Sequence, residues 1–285
     1  MLNRRDFLAT TLGLAPAARI NSTFRGVTIG INSYAFRDRS LDRALAAVKE
    51  LGIGSLELWS GHVEPVRMDR ADMRKWRETV PLSHFEGIRK QLNDAGIEPG
   101  AFNYPFRSDF SDAEIQRGFD FAKALGAQRL TVETDLVTLK RIDPLAARAR
   151  IPVACTDLSH LSPKDCAAAL RGLSNYTGLC LDIGQATASG FDAVAYLSQT
   201  VGRLICLHLN DRKQGDGPHM PFGKGDTPIQ AVLQLMARNQ YKFPAFIEVK
   251  FGCNDPRVEC AQTGKDDFTK TEAKDCFHFC KRLLS

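Results

Sequence analysis

Eight short runs along the chain are dominated by apolar and β-branched residues: 27–36, 53–59, 98–104, 128–134, 151–156, 178–183, 203–209 and 244–250. Most lack the alternation of a half-exposed strand, which is the pattern of strands covered on both faces in a parallel sheet. Between them lie amphipathic stretches with helical spacing: 41–52, 85–96, 112–126, 164–173, 191–201 and 228–240. Several of these end on Gly, the usual residue just past a helix C-terminus. The connection at 136–150 carries Pro144 and is the weakest helix expectation, because an internal proline lacks the N–H that would bond one turn back. Eight strands alternating with helices predict an α/β fold, a single closed (β/α)8 TIM barrel.

Three of the runs end on a residue with chemistry. LCLDIGQ (179–185) turns polar at Asp182, LICLHLNDRK (204–213) at His208 and AFIEVK (245–250) at Glu248. In a parallel barrel the C-terminal strand ends share one rim, so residues distant in sequence converge on one pocket there. Asp, His and Glu form a mixed oxygen and nitrogen donor set suited to a divalent ion such as Mn, Mg, Co or Zn. Glu133, at the end of TVETD (131–135), falls on the same rim and is read as a fourth ligand or a base. Taken singly, Asp182 reads as a cap and His208 as a core residue; their joint placement at strand ends favours the metal reading.

The chain of 285 residues is close to the roughly 250 typical of such a barrel. A net charge of +5 is mild, and no Lys/Arg block is interleaved with aromatic residues, which argues against a nucleic-acid partner. A small-molecule sugar substrate fits better, and nothing here bars a homo-oligomer. The first twenty residues read as a leader: Arg4 and Arg5 precede Phe7 and Leu8, and a modest apolar stretch runs to the small residues at 15–18. That order predicts a Tat-type signal peptide over 1–20, export to the periplasm and a barrel domain over 25–285. No later segment reaches the roughly 18 apolar residues that a membrane span requires. Of the eight cysteines, Cys155, Cys180 and Cys206 lie in apolar strands and read as core. Cys253, Cys260, Cys276 and Cys280 cluster near the C-terminus, where one disulfide, with Cys253–Cys260 as the first choice, fits an oxidising compartment.

Six segments in this order resemble the sugar phosphate isomerase/epimerase superfamily, the xylose isomerase-like TIM barrels, and particularly its exported bacterial branch. They are LELWSGHVEP (56–65), AFNYPFRSDF (101–110), LDIGQATASGFDAVAY (181–196), HLNDRK (208–213), PFGKGDTPIQAVLQLM (221–236) and FIEVK (246–250). The resemblance implies one divalent ion held by a Glu, an Asp, a His and a Glu from strands five to eight. Asp182, His208 and Glu248 match the last three. Thr156 stands where the first Glu is usual, flanked by Asp157 and followed by His160, and Gln185 replaces a common His. The implied activity is isomerisation or epimerisation of a sugar or keto-sugar through an enediolate intermediate. A lyase with the same chemistry, or a sugar-binding barrel that has lost catalysis, is the alternative. A nuclease of the same superfamily needs a site richer in histidine than six His residues supply. Glu248 and Glu133 are the candidate bases, and Asp211 and Arg212 are expected beside them at the rim. Glu57, His62, Asn103, Gln185 and Lys224 are the candidate substrate contacts, with Tyr104 a further pocket wall.

Overall fold

The computed structural model describes residues 18–252 and 265–285, with side chains from 268 onward in the last segment. Eight parallel strands form the barrel: β1 (Val27–Asn32), β2 (Ser55–Trp59), β3 (Glu98–Asn103), β4 (Leu130–Val132), β5 (Val153–Cys155), β6 (Thr177–Asp182), β7 (Leu204–Leu209) and β8 (Ala245–Ile247). Each pairs in parallel with the next, and β8 returns to β1, so the sheet closes. A short antiparallel strand, Thr23–Phe24, lies along β1.

Alternation along the strands sorts the core into two compartments. Leu179, Leu181, Leu207, Leu209, Ala245 and Ile247 face outward and join the large core between sheet and helices. Their neighbours Cys180, Cys206 and Phe246 face inward and meet Ala101 and Ala154 in a small apolar plug inside the barrel. Both cysteines are therefore buried small apolar residues, as is Cys155 in the outer core. Phe246 needs room that only glycine leaves: a Cβ on Gly30 would stand 2.5 Å from its ring, and one on Gly100 3.2 Å from it. Inward positions beyond the plug are polar, and they form the floor of the rim.

The helices follow the expected order, with additions. They are α1 (Leu41–Glu50), α2 (Arg70–Thr79), α3 (Ser83–Ala95), α4 (Asp112–Leu125), α5 (Leu136–Ala149), α6 (Pro163–Ala169), α7 (Ile183–Ala188), α8 (Ala193–Thr200), α9 (Ile229–Arg238) and α10 (Lys265–Leu283). Pro144 sits inside a continuous α5; the carbonyl it leaves without a partner belongs to Lys140, an exposed residue that water can serve. Sequence patterning misses α2 because its sequence is nearly all polar, and what it buries is Arg77, paired with Glu64 at 2.7 Å. It also misses α10, whose Ala273, Cys276, Phe277 and Cys280 form a buried stripe. Cys276 and Cys280 are free thiols on that stripe, whereas Cys253 and Cys260 lie outside the described residues. The leader expected over 1–20 lies almost wholly outside them too. No described helix is long and apolar enough to cross a membrane.

Phe246→Ala would leave a void in the plug, and the expected cost is about 3–5 kcal/mol of folding stability. Urea denaturation checks it; a loss below 1 kcal/mol would mean that the interior collapses to fill the space.

Candidate metal centre and adjoining cleft

Strand register brings the expected donors together. Asp182 on β6 lies directly across from His208 on β7, and the backbone N–H of Glu248 donates to Leu209 O on the same β7 at 2.9 Å. One donor atom from each of Asp182, His208 and Glu248 lies within 4.8 Å of the others, and all three residues are buried. Asp182 also caps α7: its Oδ1 accepts from Gln185 N at 2.7 Å, so the capping and metal readings describe the same residue. Asn210, two residues beyond His208, donates from Nδ2 to Asp182 Oδ1 at 2.8 Å and to Glu248 Oε2 at 3.2 Å.

The imidazole is oriented from across the barrel. Glu57 on β2 is fully buried, and its Oε2 lies 2.8 Å from His208 Nε2. Its other oxygen accepts from Thr131 Oγ1, which in turn accepts from Asn103 Nδ2 at 3.2 Å. A polar chain thus runs from Asn103 through Thr131 and Glu57 to His208. With Nε2 donating to Glu57, Nδ1 is left buried beside Glu248 Oε1 at 3.3 Å, in a geometry that makes no hydrogen bond. A buried nitrogen that makes no hydrogen bond, beside the Glu248 carboxylate and in a cluster with Asp182, fits a divalent ion once it is deprotonated, and Glu57 plays the outer partner that such histidines use.

In the metal-free site the charges balance one another, and a bound ion would have to displace the proton from Nδ1. Burial works against an imidazolium at His208, but the carboxylates of Glu248 and Glu57 outweigh it and hold the pKa well above the usual histidine value. Burial likewise opposes ionisation of Glu57 and Asp182, yet both are held below the ordinary carboxylate range, Glu57 chiefly by His208 and Asp182 chiefly by Lys250. Lys250 enters the centre directly, with Nζ 2.7 Å from Glu248 Oε2 and 3.8 Å from Asp182 Oδ2. Sequence reading missed Lys250 and Asn210. Their spacing was the available signal, since each follows a site residue by two positions, the repeat that returns a strand side chain to the same face.

Beside this centre the rim opens into a cleft of 620 Å³, lined by Trp59, Asn103, Tyr104, Arg107, Glu133 and Asp135 among others. Glu133 is outside the three-residue cluster and faces the cleft, a place for a base more than for a fourth ligand. Desolvation by its surroundings, then the charge of Glu248, raises its pKa above the ordinary glutamate value. Thr156 occupies the β5 position, its Oγ1 buried and without a partner.

Other expected contacts sit apart from the centre. Asp211 is buried as a loop staple, accepting from the backbone N–H groups of Gly223, Gly225 and Thr227 at 2.8 to 3.1 Å. Arg212 donates to Gln185 Oε1 at 2.6 Å and to Gly217 O, so these two side chains are occupied with each other and with the loop. His62 bonds Ser33 Oγ and Phe36 O, each at 3.0 Å; burial, first among the causes, lowers its pKa, and it lines a separate cavity with Trp76 and His84. Lys224 lines another cavity, against Phe222, Phe251 and Phe279.

Comparison with known proteins agrees with this architecture. Over 130 residues the chain is 26% identical to L-ribulose-5-phosphate 3-epimerase UlaE of Escherichia coli, a match covering 44% of the chain and 45% of the epimerase. The chain thus spans less than half the length of the curated relatives it matches. The structure superposes on a xylose isomerase domain protein from Planctomyces limnophilus with a TM-score of 0.67 and 14% identity, covering 90% of this chain and 97% of the other. It superposes on the IolI protein, solved with a bound zinc atom, with a TM-score of 0.63 and 13% identity, covering 91% and 99%. No family model matches the chain. The fold is thus one shared with a xylose isomerase domain protein, and one segment of the chain is similar to part of a sugar phosphate epimerase.

The pKa of His208 yields a test. In the metal-free protein its imidazolium stabilises the fold fully below the unfolded value of about 6.5, and that contribution is lost as pH rises through the higher folded value. Glu57→Gln removes one of the two supporting charges and is expected to move the His208 midpoint to lower pH, read by NMR titration of its ring protons. An unmoved midpoint would show that Glu57 does not hold the ring.

Proposed function

We propose that this protein is a metal-dependent sugar or keto-sugar isomerase/epimerase acting through an enediolate. The observation that carries the reading is the convergence of donor atoms of Asp182, His208 and Glu248 within 4.8 Å, with the buried Nδ1 of His208 making no hydrogen bond, beside an open cleft that presents Glu133. Similarity to a sugar phosphate epimerase over part of the chain supports the reaction class. Asp182, His208 and Glu248 would hold a divalent ion, which supplies a Lewis acid for the substrate's carbonyl and neighbouring hydroxyl oxygens.

The protein's own groups have distinct tasks. Trp59, partly exposed at the end of β2, offers an apolar wall to the C–H face of a sugar, and Asn103 offers its amide to a hydroxyl. Glu133 takes the proton from the carbon next to the carbonyl; its raised pKa brings it toward the neutral range, where a general base works best. Return of that proton to the adjacent carbon gives isomerisation. Delivery to the opposite face of the same carbon gives epimerisation, for which two bases are simplest, and Glu133 with Glu248 is the pair the rim offers. The order of Arg4 and Arg5, an apolar stretch and small residues supports the companion proposal of a twin-arginine leader, with this chemistry in the periplasm.

Incubation with Mn²⁺ and a panel of keto-sugars in D₂O tests the reading. NMR is expected to show deuterium entering next to the carbonyl, together with an epimer or isomer. Glu133→Gln should slow that exchange on the order of 10²-fold or more, the usual loss on removing a general base. Undiminished exchange would move the base elsewhere, and no exchange on any sugar would favour a sugar-binding barrel without catalysis.

A further inference from the structure

Lys250 lies at the end of AFIEVK, two residues after Glu248, and its side chain reaches the same three-residue centre. Its ammonium is 2.7 Å from Glu248 Oε2 and 3.8 Å from Asp182 Oδ2. Those carboxylates are two of the three groups whose donor atoms converge there, and the remaining oxygen of Glu248 faces His208 Nδ1 at 3.3 Å. A positive group is therefore already seated against the donors that a divalent ion would use. The lysine side chain keeps 31% of its surface exposed.

The neighbouring strand β5 adds no further donor. At the end of β5 the inward position is Thr156, whose buried hydroxyl has no partner, so no carboxylate there adds charge to hold an incoming ion. An ammonium and a divalent cation cannot share the same two carboxylates closely, because like charges at a few ångströms in a partly desolvated site repel strongly.

We infer that Lys250 is the resident cation of this centre: it neutralises and positions Asp182 and Glu248 when no ion is bound, and a divalent ion enters only by displacing it. This rests on the metal reading above and adds that the chain carries its own competitor for the site. The lysine thereby sets the ion affinity, and removal of its charge strengthens binding. On displacement the ammonium remains tethered at the rim, where it can face the oxygens of a bound sugar.

The test is titration of MnCl₂ into metal-stripped full-length protein, followed by calorimetry and by loss of the free Mn²⁺ EPR signal. Lys250→Met, which keeps an apolar stem and removes the charge, is expected to bind Mn²⁺ at least tenfold more tightly than wild type. Lys250→Arg keeps the charge and is expected to bind as weakly as wild type. Should Lys250→Met fail to fold by circular dichroism, Lys250→Gln provides the same comparison with a hydrogen-bond donor retained. Equal or weaker binding by the neutral variant, with clear binding by wild type, overturns the role of Lys250 and leaves the metal reading standing. No binding by either protein overturns both.

Discussion

Glu57 and His208 are 151 residues apart in sequence, yet their side chains meet at 2.8 Å inside the barrel. They come from β2 and β7, which are separated in the sheet by β1 and β8. The contact ties separate walls together, fixes the plane of the imidazole and leaves Nδ1 beside Glu248. A buried carboxylate and imidazole are costly to desolvate and are tolerated when each satisfies the other. Glu57 adds Thr131 as a second donor, so neither of its oxygens is left alone. Truncating either partner would strand a buried charge and release the ring.

The rest of the site follows from the barrel's inward layers. Below the polar layer the interior is sealed by Phe246 over Gly30 and Gly100, with Ala101, Ala154, Cys180 and Cys206 around it. One inward step higher, on or just past β6, β7 and β8, stand Asp182, His208 and Glu248, and a further step along the last two segments brings Asn210 and Lys250. A dry apolar floor strengthens the electrostatics of the charged layer above it, since solvent reaches that layer from the rim side alone. The cleft with Glu133 opens on that side, so the half of the rim suited to hold a cation and the half suited to hold a substrate are adjacent and chemically different.

Much of this was legible in the chain. Runs ending on Asp182, His208 and Glu248 announce strands whose tips carry chemistry, and parallel-barrel geometry requires those tips to converge. Pairings across the barrel were not legible: Glu57 reads equally well as a sugar contact or as the partner of a nearby cation, and only closure of the sheet selects His208. The rim loops were misleading for a related reason. Asp211 and Arg212 directly follow a ligand strand, but the loop after them needs anchoring, and its backbone N–H groups claim Asp211 while Gln185 claims Arg212. His62 and Lys224 are polar residues at loop corners that face other cavities. The polar helix α2 leaves no apolar stripe to detect, because its buried contact is the ion pair of Arg77 with Glu64.

The proposed metal site requires that Glu57 hold His208 with Nδ1 available, together with Asp182 and Glu248, to one divalent ion. Crystals soaked in MnCl₂ and measured at the manganese absorption edge test it most directly. One anomalous peak is expected among the three side chains, within coordination distance of His208 Nδ1 and a carboxylate oxygen, with Nε2 still on Glu57. A peak bound through Nε2, or no peak at this position at saturating Mn²⁺, would rule this site out.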